Sequence, residues 1–320
     1  MTSGLAIAAK TGSDGRMRRR AKQQEHPGVD ATGMLLLLPA ILLLLLLFVG
    51  PVGYAVYLGF TNISLIGPTA RHFHFTGTAN LIRLAHDSLF WKSLWLTAVF
   101  LAGSAVLGVT VVGMALAVLM QQAAAWLRVT VGAIVVVAWM LPPITAALLW
   151  YAFSTTGGTL SLLMGGNSDP LNHYPMLIVS LANIWSTAGF SMLVLSSGLR
   201  AVPSEVIEAG LMEGAPRWRI FCSITLPIMR PTIVTNVLLV TLLSLANFAL
   251  IYIMTAGGAD NSTDILPIYS YQQGFLFNKL GYGALLGDVL VIIATVLAYL
   301  YVRAARQRPV RPTLLREAKG

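Results

Sequence analysis

The chain has 320 residues, 56% of them hydrophobic and only 10% charged, with 21 basic and 12 acidic side chains for a net charge of +9. Soluble domains carry roughly 25% charged residues, so this composition excludes an ordinary soluble globular protein and points to a membrane protein. The single cysteine, Cys222, excludes an internal disulfide framework and is expected as a small buried hydrophobe.

Residues 1–31 are polar and rich in Gly, Lys and Arg, which predicts a disordered basic tail. Within it GLAIAAKT, Gly4 to Thr11, has the spacing of a phosphate loop. Ala9 replaces the second glycine and no strand precedes it, so the match is a coincidence. The apolar run beginning at Met34 follows RMRRR as a secretory signal would. More than ten residues separate Arg20 from Met34, however, and the greasy stretch continues past Pro51 with no small-x-small cleavage site. It reads as a retained first span.

A span of the ~30 Å hydrocarbon core needs about 20 mostly apolar residues. Six segments qualify: Gly33 to Tyr57, Ser93 to Leu119, Val129 to Phe153, Met176 to Leu199, Ile228 to Met254 and Tyr282 to Val302. An even number puts both termini on one side, and the basic residues choose the side. Seventeen of them lie in the two tails and in alternate loops (Arg128, Arg200, Arg217, Arg219 and Arg230 among them), against Arg71, Arg83, Lys92 and Lys279 in the opposite loops. The positive-inside rule therefore predicts cytoplasmic termini, with residues 306–320 as a second basic tail. The +9 is accounted for by topology, and no nucleic-acid partner is expected. His72 and His74 lack cysteine or carboxylate company and read as loop polarity rather than a metal clip.

One long inner loop, Arg200 to Pro227, interrupts the apolar pattern with EAGLMEGAPRWRIFCSITLP. Its local chemistry predicts two short helices. Pro203 suits a first turn, Glu205 and Glu208 lie at the positive helix end, Gly214 supplies a left-handed stop, and Pro216 begins the second helix. Ile207, Gly210 and Leu211 share one face. A helix lying on lipid would carry Lys and Arg on its polar face, whereas this one carries Glu205, Glu208 and Glu213; a protein partner fits better.

These residues resemble the signature of permease subunits of bacterial ABC importers: E-A-A, three residues, G, nine residues, I-x-L-P. Glu208, Ala209 and Gly210 precede Gly214, and nine residues later come Ile224, Leu226 and Pro227. Gly210 stands where the family usually has Ala, and Glu213 where sugar permeases usually have Asp. FTN at Phe60, Asn80, Arg83-Leu84, Asp87, FWKSL from Phe90, GLRAVPSE from Gly198 and ITLPIMRP from Ile224 extend the likeness over roughly residues 34 to 305. MTAGGADNST from Met254 is similar to the glycine-rich segment of the maltose-permease F-like branch, with Ala259 in place of Pro.

The resemblance implies an all-α integral membrane protein of the type I importer permease fold, with six transmembrane helices and a cytoplasmic coupling helix. Its partners would be a second, G-like permease, an ATPase dimer that holds the ATP and Mg, an external solute-binding protein or lipoprotein, and membrane lipid, in a bacterial inner membrane. No catalysis and no cofactor are expected in this chain. Residues 32–305 would form the permease domain. In the F-like branch asparagines line the sugar cavity; Asn183 and Asn247 resemble them, and Ser186, Phe190 and Ser244 align with further lining positions, Phe190 standing where the maltose permease has Tyr. Each asparagine could equally bond helix to helix.

Asp288 is the one acid well inside a predicted span, either a substrate contact or a residue near the outer interface, and Gly283 and Gly287 beside it have GxxxG spacing. Trp139, Trp150 and Trp185 read as core or interfacial anchors. An ion-coupled secondary transporter is the alternative, and it would want an internal repeat or embedded charged relays; no clear repeat is visible.

Overall fold

The computed structural model describes residues 31–166 and 168–306. The two basic tails predicted from sequence thus lie almost wholly outside the described residues. Among the described residues the regular elements are all helical, and the one β-type pairing is an isolated bridge between Thr61 and Phe75.

Two compact units divide the chain at Tyr54. In the first, helix Ala31–Leu44 runs into a π-helical turn, Leu45–Val49. Its side chains from Leu37 to Tyr54 are all exposed, an apolar surface suited to lipid. The second unit holds α1 (Gly50–Gly59, shared at its start with the first unit), α2 (Ser88–Phe100) and α3 (Thr110–Gln122), the last two joined by a nine-residue π-helix, Leu101–Val109. Then come α4 (Ala125–Met140), α5 (Pro143–Ser154), α6 (Pro175–Arg200), α7 (Ser204–Met212), α8 (Arg217–Ile220), α9 (Leu226–Ala246), α10 (Phe248–Thr255), α11 (Leu266–Tyr271) and α12 (Leu280–Arg306).

Among the described residues five helices are long and apolar enough to cross a membrane, and a sixth span is made only by counting a bent pair. That pair is the predicted span Val129 to Phe153, which turns by 104° between Met140 and Pro143. The cause is local. Pro142 restricts Leu141 to extended backbone (ψ 136°), and Pro143 in turn holds Pro142 extended (ψ 140°), so helix cannot pass through either residue. The predicted fifth span is also broken, at Asn247 (φ −82°, ψ 47°), between α9 and α10.

Among the described residues three apolar clusters hold the helices together, two of them built on α6 and one on α2, α11 and α12. One joins Phe100, Ala146, Val179, Leu250 and Ile268; a second joins Phe90, Leu266, Tyr282 and Leu286; a third joins Ala117, Met192, Leu195 and Met229. Close backbone approach tightens them at two glycines. A Cβ on Gly189 would lie 2.5 Å from the Val135 carbonyl oxygen, and one on Gly283 would lie 2.5 Å from Gly274 Cα. The small-residue spacing at Gly283 and Gly287 is thus used asymmetrically, since a Cβ on Gly287 would meet only Ser270 Oγ at 3.8 Å. Cys222, expected in the core, is exposed on the π-helical turn Phe221–Thr225.

Candidate functional site

The long loop folds as one short helix, α7, followed by α8. Expected to be a second short helix, α8 instead runs on through the π turn into α9, as the start of one helix from Arg217 to Ala246. The turn between α7 and α8 can be followed bond by bond. Gly214 takes φ +75°, its N–H donates to Leu211 O (3.0 Å), and Ala215 N–H donates to Gly210 O (3.1 Å). This pair of bonds is a Schellman stop, which needs a residue without a Cβ penalty at the left-handed position. Gly210 is buried: a Cβ there would meet Ile220 Cγ1 and Ile224 Cδ1, each at 3.3 Å. The short helix α7 and the start of the long helix therefore close on each other through Gly210, Ile220 and Ile224.

The opposite surface is open. Glu205, Glu208, Ala209 and Glu213 are exposed, and beside them Met212 is 88% and Trp218 66% exposed. A mixed acidic and apolar face of this kind is what a protein partner covers. Leu211, expected on the buried face with Ile207 and Gly210, is itself largely exposed. Leu226 and Pro227 open α9. Pro227 cannot donate a backbone bond, and the π-helical turn just before it accommodates that loss without ending the helix, which runs from Arg217 to Ala246.

A second cluster is buried between the long helices. Asn183 is fully buried; its Nδ2 donates to Ser104 Oγ (2.8 Å) and Ser244 Oγ (2.9 Å), and its Oδ1 accepts from Asn247 Nδ2 (3.2 Å). Three helical segments and a break meet there, because Ser104 sits in the π-helix, Asn183 on α6, Ser244 near the end of α9 and Asn247 in the break that follows. Beside the cluster is a cavity of about 200 Å³ lined by Trp139, Pro143, Ser186, Leu243, Asn247 and Leu250, among others. The Pro142-Pro143 bend and the Asn247 break form its walls.

The structure thus sorts the candidates. Asn247 and Ser186 line the cavity, while Asn183 and Ser244 are buried behind it. Phe190 is not in the lining; its ring packs against Trp139 at 5.5 Å and backs that wall. Trp139, expected as an anchor, is part of the lining, whereas Trp150 and Trp185 pack edge to face at 6.2 Å. Asp288 is apart from all of these, nine residues into the long α12 helix rather than at its start. Its Oδ2 is buried without a hydrogen-bond partner, 2.9 Å from where a Cβ on Gly59 would stand. Ser104 is the member that sequence reasoning missed, since one serine in an apolar run carries no pattern.

On the opposite side from α7, the loops are tied by polar contacts. Tyr269 and Tyr282 hydroxyls both donate to Asp87 Oδ2, at 2.5 and 2.6 Å. Asp87 also caps α2 by accepting from the N–H groups of Leu89 and Phe90, and the Arg83 guanidinium lies over the Tyr282 ring. Burial pushes the Asp87 carboxyl up, but the tyrosine and backbone hydrogen bonds outweigh it and hold the group below its usual value. Asp264, in the loop before α11, has only burial acting strongly on it. It is pushed up to about 7, with Lys92 pulling the other way. In the first outer loop Asn62 Nδ2 lies 3.1 Å from His74 Nδ1.

The sequence profile of the family described as "binding-protein-dependent transport system inner membrane component" matches residues 109–310. The sulfoquinovosyl glycerol transport system permease protein SmoG of Agrobacterium fabrum is 30% identical over 287 residues, covering 86% of this chain and 90% of the relative. The trehalose transport system permease protein SugA of Mycobacterium tuberculosis is 29% identical over 301 residues, covering 93% and 92%. Among solved structures, a chain of a bacterial ABC transporter involved in the import of the acidic polysaccharide alginate superposes with a TM-score of 0.67 at 19% identity. That superposition covers 91% of this chain and 98% of the other, and it shows the fold of a type I importer permease.

Proposed function

The chain belongs to the family of binding-protein-dependent transport system inner membrane components, as a permease subunit of an ABC importer, and we propose that its solute is a sugar or sugar derivative. The observation that carries the substrate class is the intramembrane cavity beside Asn183, Ser244 and Asn247. Polar side chains inside a span are costly and face interiors or water-filled cavities, and this cavity offers Asn247 and Ser186 beside the Trp139 ring. Amides, hydroxyls and an aromatic face are the groups that match a carbohydrate. Relatives whose names specify trehalose or sulfoquinovosyl glycerol transport support the same class.

The same reading supplies the rest of the assembly. A second permease of the G-like branch completes the path, and an ATPase dimer carries ATP, Mg and the hydrolysis. An external solute-binding protein delivers the sugar. Residues Glu205, Glu208, Ala209, Gly210 and Gly214 seat α7 and its turn on the ATPase, with Ile224, Leu226 and Pro227 holding the following helix. The exposed acidic and apolar face of α7 supports this seating, and the positive-inside rule supports cytoplasmic termini. The test is uptake by proteoliposomes containing the complete complex and its binding protein, across a panel of mono- and disaccharides, polyols and amino acids. ATP-dependent uptake confined to carbohydrates is expected, and uptake confined to amino acids contradicts the assignment.

A further inference from the structure

Hydrogen-bond direction in the buried polar cluster can be followed from a residue that never touches the cavity. Ser104 is fully buried, and its Oγ lies 3.2 Å from the backbone oxygen of Ser180. A carbonyl oxygen can only accept, so Ser104 donates its single hydroxyl proton there. Toward Asn183 it is then left as an acceptor, which requires the Asn183 Nδ2 to face it, at 2.8 Å. The reverse orientation would set Asn183 Oδ1 against the Ser104 oxygen, two acceptors in contact.

With both Nδ2 protons engaged by Ser104 and Ser244, Asn183 Oδ1 faces Asn247, which must present its own Nδ2, at 3.2 Å. Asn247 Oδ1 is thereby left without a partner in the cluster, and it is buried with no hydrogen bond at all. Asn247 is the only member of the chain Ser180–Ser104–Asn183–Asn247 that lines the cavity.

We infer that Ser104 is a positioning residue that sets the polarity of this site: through Asn183 it fixes the Asn247 amide so that its Oδ1 is left as a buried, unsatisfied acceptor on a residue that lines the cavity, and the path favours solutes whose hydroxyl donor satisfies it. Ser104 touches no solute and acts two side chains away. Its place in the π-helix Leu101–Val109 suits the role, since such turns inside α-helices re-aim side chains and recur at functional sites. The inference deepens the sugar reading and rests on it for the identity of the solute, but the relay is a property of the side chains alone.

Two measurements test it. The first is a double-variant cycle of Ser104→Ala and Asn247→Ala, read by thermal unfolding of the purified complex. The relay predicts that Asn247→Ala costs less in the Ser104→Ala background than alone, although the two residues do not touch. Additive losses would overturn it. If Ser104→Ala does not assemble, Ser104→Cys, a weaker acceptor, takes its place, and Ser104→Thr, which keeps the hydroxyl, restores wild-type behaviour.

The second is uptake of trehalose against its mono-deoxyfluoro analogues, in which one donor hydroxyl becomes an acceptor only. In Ser104→Ala, where Asn247 is free to turn, the preference for trehalose over the least-transported analogue falls by about tenfold, one hydrogen bond's worth. An unchanged preference would contradict the assignment of polarity to Ser104. Failure of the unaltered complex to take up any carbohydrate would count against the sugar reading alone, because the unfolding cycle needs no solute.

Discussion

Asn247 donates its side-chain amide to Asn183 Oδ1 across 3.2 Å, joining the residue that breaks the fifth span to one that is fully buried on α6. The two asparagines are therefore not equivalent. Asn183 bonds helices together, and Asn247 reaches the cavity.

This asymmetry predicts different failures. Asn183→Ala leaves Ser104, Ser244 and Asn247 without their shared partner and is expected to destabilise the complex by about 1–3 kcal/mol. The effect would appear as a lowered unfolding temperature. Asn247→Ala keeps the Asn183 bonds to both serines, so assembly is retained while the concentration dependence of binding-protein-driven uptake changes. Equal losses of stability in both variants would remove the distinction.

Gly214 holds φ +75°, where an L side chain costs about 1–2 kcal/mol. Gly214→Val is expected to loosen the turn between α7 and α8 and weaken the link between ATP hydrolysis and uptake, with Gly214→Asn milder. Insertion into the membrane is unaffected in either variant. Parallel ATPase and uptake assays on the same preparations read the ratio.

Glycine contacts in α12 give a paired prediction. Gly283→Ala sets a Cβ 2.5 Å from Gly274 Cα, backbone that cannot yield, whereas Gly287→Ala meets only Ser270 Oγ at 3.8 Å. Gly283→Ala should lower the yield of folded protein and Gly287→Ala should not, as measured by size-exclusion of the solubilised complex.

Asp264 predicts a pH dependence in the outer loop. Its folded value, about 7, lies above the ordinary 3.8, so the folded state holds a proton that the unfolded state releases. Its contribution is fully present below about pH 4, is lost as pH rises toward 7, and is constant above that. Hydrogen exchange in residues 256–264 should therefore speed up between pH 4 and 7, after correction for intrinsic rates, and Asp264→Asn should flatten the profile. Replacing Lys92 with Met removes the opposing attraction and shifts the window upward.

Much of this was legible in the sequence because its causes are local. Gly214 and Pro216 mark the turn between α7 and α8 by their own backbone limits, and the greasy runs mark the spans by composition. The 104° bend had its signal in Pro142-Pro143, but the mostly apolar stretch Val129 to Phe153 reads as one straight span. Ser104 was invisible for another reason: its role depends on Ser180 and Asn183, brought to it only by the packing of α6. Asp288 drew attention by its charge, yet it lies against Gly59, away from the cavity. Cys222 was judged by residue type alone, while its exposure follows from the face of the π turn on which it falls.

The most direct test of the account is Glu208→Lys, in the exposed acidic face of α7, measured for ATP hydrolysis and solute uptake in proteoliposomes containing the complete complex. Charge reversal at that face is predicted to abolish stimulated uptake while the protein still inserts and folds. Uptake at the wild-type rate in Glu208→Lys would contradict the assignment of α7 as the contact through which the ATPase drives transport.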